Sequence, residues 1–194
     1  MKMDTQQAKA GLRLKIRSAL KNLSPEKRVL ESEKLCENLR QQRFFQNAVS
    51  ILFFASLPDE PDLWPLLNET LATQKMAALP CFDADSQTYL TRRVTDVHVE
   101  ILSGRFGIRE PATTCVAIPL EELDLVLVPG VAFDANGYRL GRGKGFYDRL
   151  LENFTGTKIG IAFDEQIVDA VPAEKNDVAM DFVLTPTRYL AKAS

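Results

Sequence analysis

Cysteine is scarce: Cys36, Cys81 and Cys115 are odd in number and far apart, and no Cys-x-x-Cys pair occurs. A disulfide framework and a zinc site are both disfavoured, and the three read as reduced cytosolic thiols. Histidine is rarer still, with His98 alone, and it reads as surface. A charge excess is also missing, since 24 Lys and Arg stand against 26 Asp and Glu and leave a net charge of -2. That balance gives no general attraction for nucleic acid or for an anionic membrane, so any affinity for anions must be local. No apolar run of signal-peptide or membrane-span length follows Met1-Lys2-Met3-Asp4 or occurs further on, which leads us to expect a cytoplasmic protein with neither a nucleic-acid nor a membrane partner. Internal repeats, low-complexity tracts and long flexible linkers are absent as well. With 194 residues, 45% of them hydrophobic, the chain can bury an ordinary core, and residues 1–194 are expected to form a single domain, a monomer by default.

What is present alternates between helical and strand patterns. Leu12, Ile16, Ala19, Leu20 and Leu23 make one apolar stripe on a helix from about Thr5 to Leu23, with Lys9, Arg13 and Arg17 on another face. Ser24-Pro25-Glu26 starts a second helix, expected to run to about Arg43. Ala48 to Phe54 reads as a strand covered on both faces, stopped by the loop Leu57-Pro58-Asp59-Glu60-Pro61-Asp62, with a helix from Leu63 to Gln74. Met76 to Cys81 and Thr88 to Val94 read as strands separated by a turn at Asp83-Ala84-Asp85-Ser86. Leu123 to Pro129, Lys158 to Phe163 and Phe182 to Thr185 complete the strands, with a helix from about Gly145 to Asn153 between the first two. Strands alternating with helices indicate an α/β sandwich.

The stretch Asn136 to Asp148 carries the most chemical information. Gly141, Gly143 and Gly145 alternate with Arg142 and Lys144 directly ahead of a predicted helix. Glycine at positive φ lets successive N–H groups turn toward an anion, and the two cations add full charge. This is not a Walker A loop, because Tyr138 stands five residues before Gly143 and Gly145 follows Lys144. A solvated turn is the plainer reading of such a loop, but its place between a buried strand and a helix favours an anion site. Asp148 is either a partner for the helix dipole or, beside a phosphate, a holder of Mg²⁺. Asp59 and Glu60 follow the first buried strand, at the end where open α/β sheets bind ligands, yet they could equally be solvated loop acids. Lys9 and Arg13, one turn apart, read on their own as a solvated helix face.

Taken together, Lys9-Ala10-Gly11-Leu12-Arg13, Leu57-Pro58-Asp59-Glu60, Phe106 to Pro111, Leu127 to Asp134 and Gly141-Arg142-Gly143-Lys144-Gly145-Phe146-Tyr147-Asp148 resemble the 5-formyltetrahydrofolate cyclo-ligase family, in the family's order and over nearly the whole chain. Gly160 to Phe163, Gln166, Val171-Pro172 and Asp177 are similar to its C-terminal pattern. The resemblance implies an α/β fold with a central, mostly parallel sheet flanked by helices, similar in layout to sugar-phosphate isomerases and CoA-transferases. It implies ATP and Mg²⁺ as cofactors and 5-formyltetrahydrofolate as substrate. Carried over position by position, Lys9 and Arg13 match nucleotide-binding residues, and Arg139, Leu140, Gly141, Arg142, Gly143, Lys144, Gly145, Phe146 and Tyr147 match the ATP loop. Glu60 matches the acid that contacts the folate, with Arg142, Lys144, Phe146 and Tyr147 also near substrate. Asp148 and Asp177 match metal-linked acids, and Phe146 stands where some members carry a second tyrosine.

The implied reaction transfers the γ-phosphoryl group to the formyl oxygen, making it a leaving group for attack by N10; methenyl-folate, ADP and phosphate result. Positioning and charge neutralisation dominate such a transfer, which assigns Lys144 and Arg142 the catalytic role. Two other readings stay open: a non-catalytic sensor that binds nucleotide or folate, and a sugar-phosphate isomerase or CoA-transferase on a similar layout.

Overall fold

The computed structural model describes residues 5–104, 107–174 and 176–192. The first four residues, Phe106 of the Phe106–Pro111 block and Lys175 beside Asp177 lie outside the described residues. The apolar stripe of the first helix, α1 (Thr5–Lys21), buries Ile16 and Leu20 against Val131, Ala132, Leu140 and Phe163. That packing seats α1 on the segment that leads into the glycine-rich loop. Ser24 caps α2 (Pro25–Gln41), its hydroxyl accepting from the Lys27 amide at 3.2 Å. The helix expected to reach Arg43 ends at Gln42, whose backbone is extended, and α3 (Arg43–Asn47) begins afresh. The break turns Phe45 into the core and lets Phe44 stack on Phe182 with centroids 5.4 Å apart.

An eight-stranded sheet forms the centre. β1 (Ser50–Leu52) pairs in parallel with β2 (Met76–Asp83) on one side and with β7 (Leu125–Pro129) on the other. Beyond β7 lie β10 (Thr157–Ile161) and β11 (Phe182–Leu184), both parallel. Antiparallel strands finish each edge, β12 (Tyr189–Ala191) on β11 and β3 (Thr88–Val94) on β2, with β6 (Ala117–Ile118) outermost. The mostly parallel sheet flanked by helices is the expected architecture. The first strand is shorter than the apolar run suggests, because Asp124 caps its start by accepting from the Val49 and Ser50 amides, and the Phe53 amide makes a last bond to the Ala78 carbonyl before Phe54, with both rings buried. The next helix, α4 (Trp64–Leu71), is likewise shorter than its pattern.

Outside the sheet, α5 (Val97–Glu100) carries an exposed His98, as expected, and leads into a ribbon of β4 (Ile101–Ser103) and β5 (Arg109–Pro111). A small hairpin of β8 (Ala132–Phe133) and β9 (Arg139–Leu140) delivers the glycine-rich loop to α6 (Phe146–Leu151). The hairpin turn is pinned by Asp134, whose carboxylate accepts from Asn136, Tyr138 and Val171 amides at 2.9 to 3.1 Å. Gly137 sits in this turn at φ +80°, and a Cβ there would collide with the Met180 carbonyl oxygen. Gly137→Ala is therefore expected to lower unfolding free energy by about 1–3 kcal/mol in a denaturant titration; an unchanged midpoint would show that the turn tolerates a side chain.

Candidate active site

The order of the central strands dictates where a ligand can sit. The chain builds β1 and β2 first, then returns to the other side of β1 with β7, so the switch lies between β1 and β7. Connections leave these two strands in opposite directions and open a crevice beyond their carboxyl ends. A cavity of about 550 Å³ occupies that position, reached by Phe54 and Ala55 after β1 and by Pro129 and Gly130 after β7. Every residue assigned to nucleotide, folate or metal by resemblance lines it: Lys9, Arg13, Glu60, the stretch from Arg139 to Asp148, and Asp177.

The loop has the backbone that anion binding requires. Gly143 and Gly145 adopt φ +102° and +63°, the left-handed region that glycine enters without strain. Arg13 donates from Nε to the Gly141 carbonyl at 2.9 Å and so ties α1 to the loop. At the loop's entry Arg139 is buried and pairs with Asp148 at 2.9 Å, with its guanidinium 5.5 Å from the Tyr147 ring centre. Leu140 is buried in the α1 cluster. Desolvation pushes the Tyr147 hydroxyl well above the usual tyrosine range.

The cations divide sharply in their surroundings. Arg142 pairs with Asp59 at 2.6 Å and with Glu60 at 2.8 Å, joining the glycine-rich loop to the loop after β1. Glu60 is buried and also accepts from the Leu57 amide at 3.1 Å. Burial drives its carboxyl above the ordinary range even though Arg142 pulls the other way. Lys144 is exposed, and its ammonium forms no ion pair among the described residues.

Lys9 overturns the solvated-face reading. It is buried, with Nζ 2.8 Å from Asp177 and 3.2 Å from Glu174. Burial alone would lower its pKa, but the two carboxylates outweigh that and hold it above the usual lysine value. The segment carrying Glu174 and Asp177 covers this face of α1, and no local pattern in α1 announces it. Arg13, through Gly141, is likewise turned inward.

Aromatic rings finish the opposite wall. Phe146 meets Tyr89 edge to face at 5.0 Å and Phe82 at 5.8 Å. Nothing in the sequence marks Tyr89, since β3 reads as an ordinary strand, and Glu110 stands out only as part of the Phe106–Pro111 stretch. As to metal, no cluster of three or more His, Cys, Asp or Glu side chains able to hold an ion exists among the described residues. Asp148 spends Oδ1 on Arg139, while Asp177 spends Oδ2 on Lys9 and the Glu174 amide. Each keeps one oxygen, which suits Mg²⁺ carried chiefly by nucleotide phosphates rather than by a protein cage.

A sequence model of the 5-formyltetrahydrofolate cyclo-ligase family matches residues 5–186. The mouse (Mus musculus) 5-formyltetrahydrofolate cyclo-ligase is 30% identical over 91% of this chain and 93% of its own length. The enzyme of that name from Escherichia coli K12 is 31% identical over 89% and 97%. The fold also superposes on the NMR structure of Aquifex aeolicus 5,10-methenyltetrahydrofolate synthetase with a TM-score of 0.86 and 34% identity, covering 96% of this chain and 93% of that one.

Proposed function

The chain belongs to the 5-formyltetrahydrofolate cyclo-ligase family, and from that premise we propose how its cavity closes 5-formyltetrahydrofolate into 5,10-methenyltetrahydrofolate with ATP. The protein is a ligase of one-carbon metabolism. The formyl oxygen is a poor leaving group, so it attacks the γ-phosphoryl group; N10 then attacks the activated carbon and phosphate departs. Such a transfer asks the protein for in-line positioning and for neutralisation of spreading negative charge.

The observation that carries this reading is the meeting in one crevice of a left-handed glycine loop, a buried glutamate and a lysine without an ion pair among the described residues. Lys144 takes the β- and γ-phosphates, joined by the loop amides from Gly141 to Gly145. Lys9, Arg13, Arg139 and Leu140 frame the nucleotide. Arg142 stands between the two ligands, holding Glu60 on the folate side and reaching the transferring phosphate from the other. Glu60 hydrogen-bonds the pterin, and Phe146 and Tyr147 present flat surface to it. A Mg²⁺ ion, when bound, would neutralise phosphate charge, held by Asp148 with Asp177 as a second carboxylate. Residues 1–194 form a single domain that acts as a cytoplasmic monomer without nucleic-acid or membrane partners. No helix among the described residues is long and apolar enough to cross a membrane.

Purified protein mixed with 5-formyltetrahydrofolate and MgATP is expected to develop the near-ultraviolet band of the methenyl product, and to lose it when ATP is omitted or EDTA added. Absence of the band from folded protein that still binds both ligands would favour a sensor. Product formed despite EDTA would remove the metal. For Glu60→Gln, folate titration should weaken about tenfold, ~1.4 kcal/mol, with nucleotide titration unchanged; an unaltered folate titration would take Glu60 out of the site.

A further inference from the structure

Glu110 has no role in the scheme above, yet it is built into the same cavity. It lies on β5, is 7% exposed, and lines the wall that also carries Tyr89, Phe146 and Ile108. The Phe82 amide hydrogen-bonds its carboxylate, but among the described residues the buried Oε1 has no hydrogen-bond partner. Among the described residues no Lys or Arg pairs with it. Burial accordingly pushes its carboxyl above the ordinary glutamate range. Space for the group is left just past the end of β4, where a Cβ at Gly104 would collide with Oε2.

A buried acceptor without a donor is costly unless something else supplies the hydrogen bond. Nucleotide phosphates cannot do so, because they carry no N–H and repel a carboxylate. Reduced folate can: it offers N–H groups on its pyrimidine edge, at N8 and at N10, and a flat pyrimidine ring for the wall that Tyr89 and Phe146 form. Glu60 differs in being neutralised by Arg142, so the two acids are not interchangeable. We propose that Glu110 is a second substrate-positioning acid, whose Oε1 accepts a hydrogen bond from an N–H of the bound folate. The assignment rests on the reading of this cavity as the folate and ATP site.

Two variants separate this role from a structural one. Glu110→Leu removes both the unpartnered oxygen and the acceptor of the Phe82 amide, effects that oppose each other, so the thermal midpoint should move little while folate dissociation and KM rise at least tenfold and nucleotide dissociation stays the same. Glu110→Gln keeps a carbonyl acceptor and should restore most of the folate affinity. Wild-type folate affinity in Glu110→Leu would overturn the proposal, as would a loss confined to the nucleotide or a loss that Glu110→Gln fails to recover. If Glu110→Leu does not fold, Glu110→Ala at low temperature takes its place, read against the same two ligands and with Glu110→Gln again as the rescue. Wild-type protein that neither binds nor converts the folate would overturn the reading of the cavity itself, and this inference with it.

Discussion

Lys144→Ala is expected to lower turnover by about a hundredfold or more while leaving the unfolding midpoint unchanged. The lysine is exposed and carries no ion pair among the described residues, so its removal opens no core cavity and orphans no buried group. Its charge stands on a loop with two left-handed glycines, and that loop lines the same crevice as Arg142 and Glu60. The loss should fall on kcat more than on folate binding, because the charge matters most as phosphoryl transfer proceeds. Steady-state kinetics beside a thermal melt decide it: near-normal kcat would end the phosphate role, and a lowered midpoint would point to a structural one.

Asp148→Asn should act differently, since that carboxylate serves two masters. It compensates Arg139, whose side chain is only 4% exposed, and in the proposed mechanism its other oxygen serves the nucleotide's cation. At limiting Mg²⁺ we expect turnover to fall about a hundredfold, with partial recovery as Mg²⁺ is raised. Asparagine still accepts from Arg139 but no longer neutralises it, so the melting temperature should drop as well. A lower melting temperature with an unaltered Mg²⁺ requirement would leave Asp148 as a support for Arg139 alone.

Much of this site was legible because its chemistry is local. Gly141 to Asp148 sit together in sequence, and alternating glycine with cations is a pattern few structural needs explain. The large parallel strands were legible too, as short apolar runs. What escaped depends on distant partners. Lys9 looks solvated until Asp177, 168 residues away, is folded over it. Arg142 meets Glu60 across 82 residues, a pairing that neither segment signals. The interruption at Gln42 arises because Phe44 and Phe45 have better partners in the sheet than in a continuing helix, and tertiary packing of that kind overrides a helical pattern. The edge strand β12 and the two-residue β6 are too short for periodicity to register. Tyr89 and Glu110 were invisible as site residues because alternation along a strand or ribbon says which face a side chain takes, not what lies across from it.

The ion pairs of Lys9 also bear on how the protein is made. Glu174 and Asp177 lie 165 and 168 residues after Lys9, so α1 leaves the ribosome well before them. Until they arrive, the lysine lacks both of these carboxylates and its end of the crevice lacks one wall. With the nucleotide placed there as proposed, a nascent chain cannot use ATP to stabilise its early fold until translation has passed both acids.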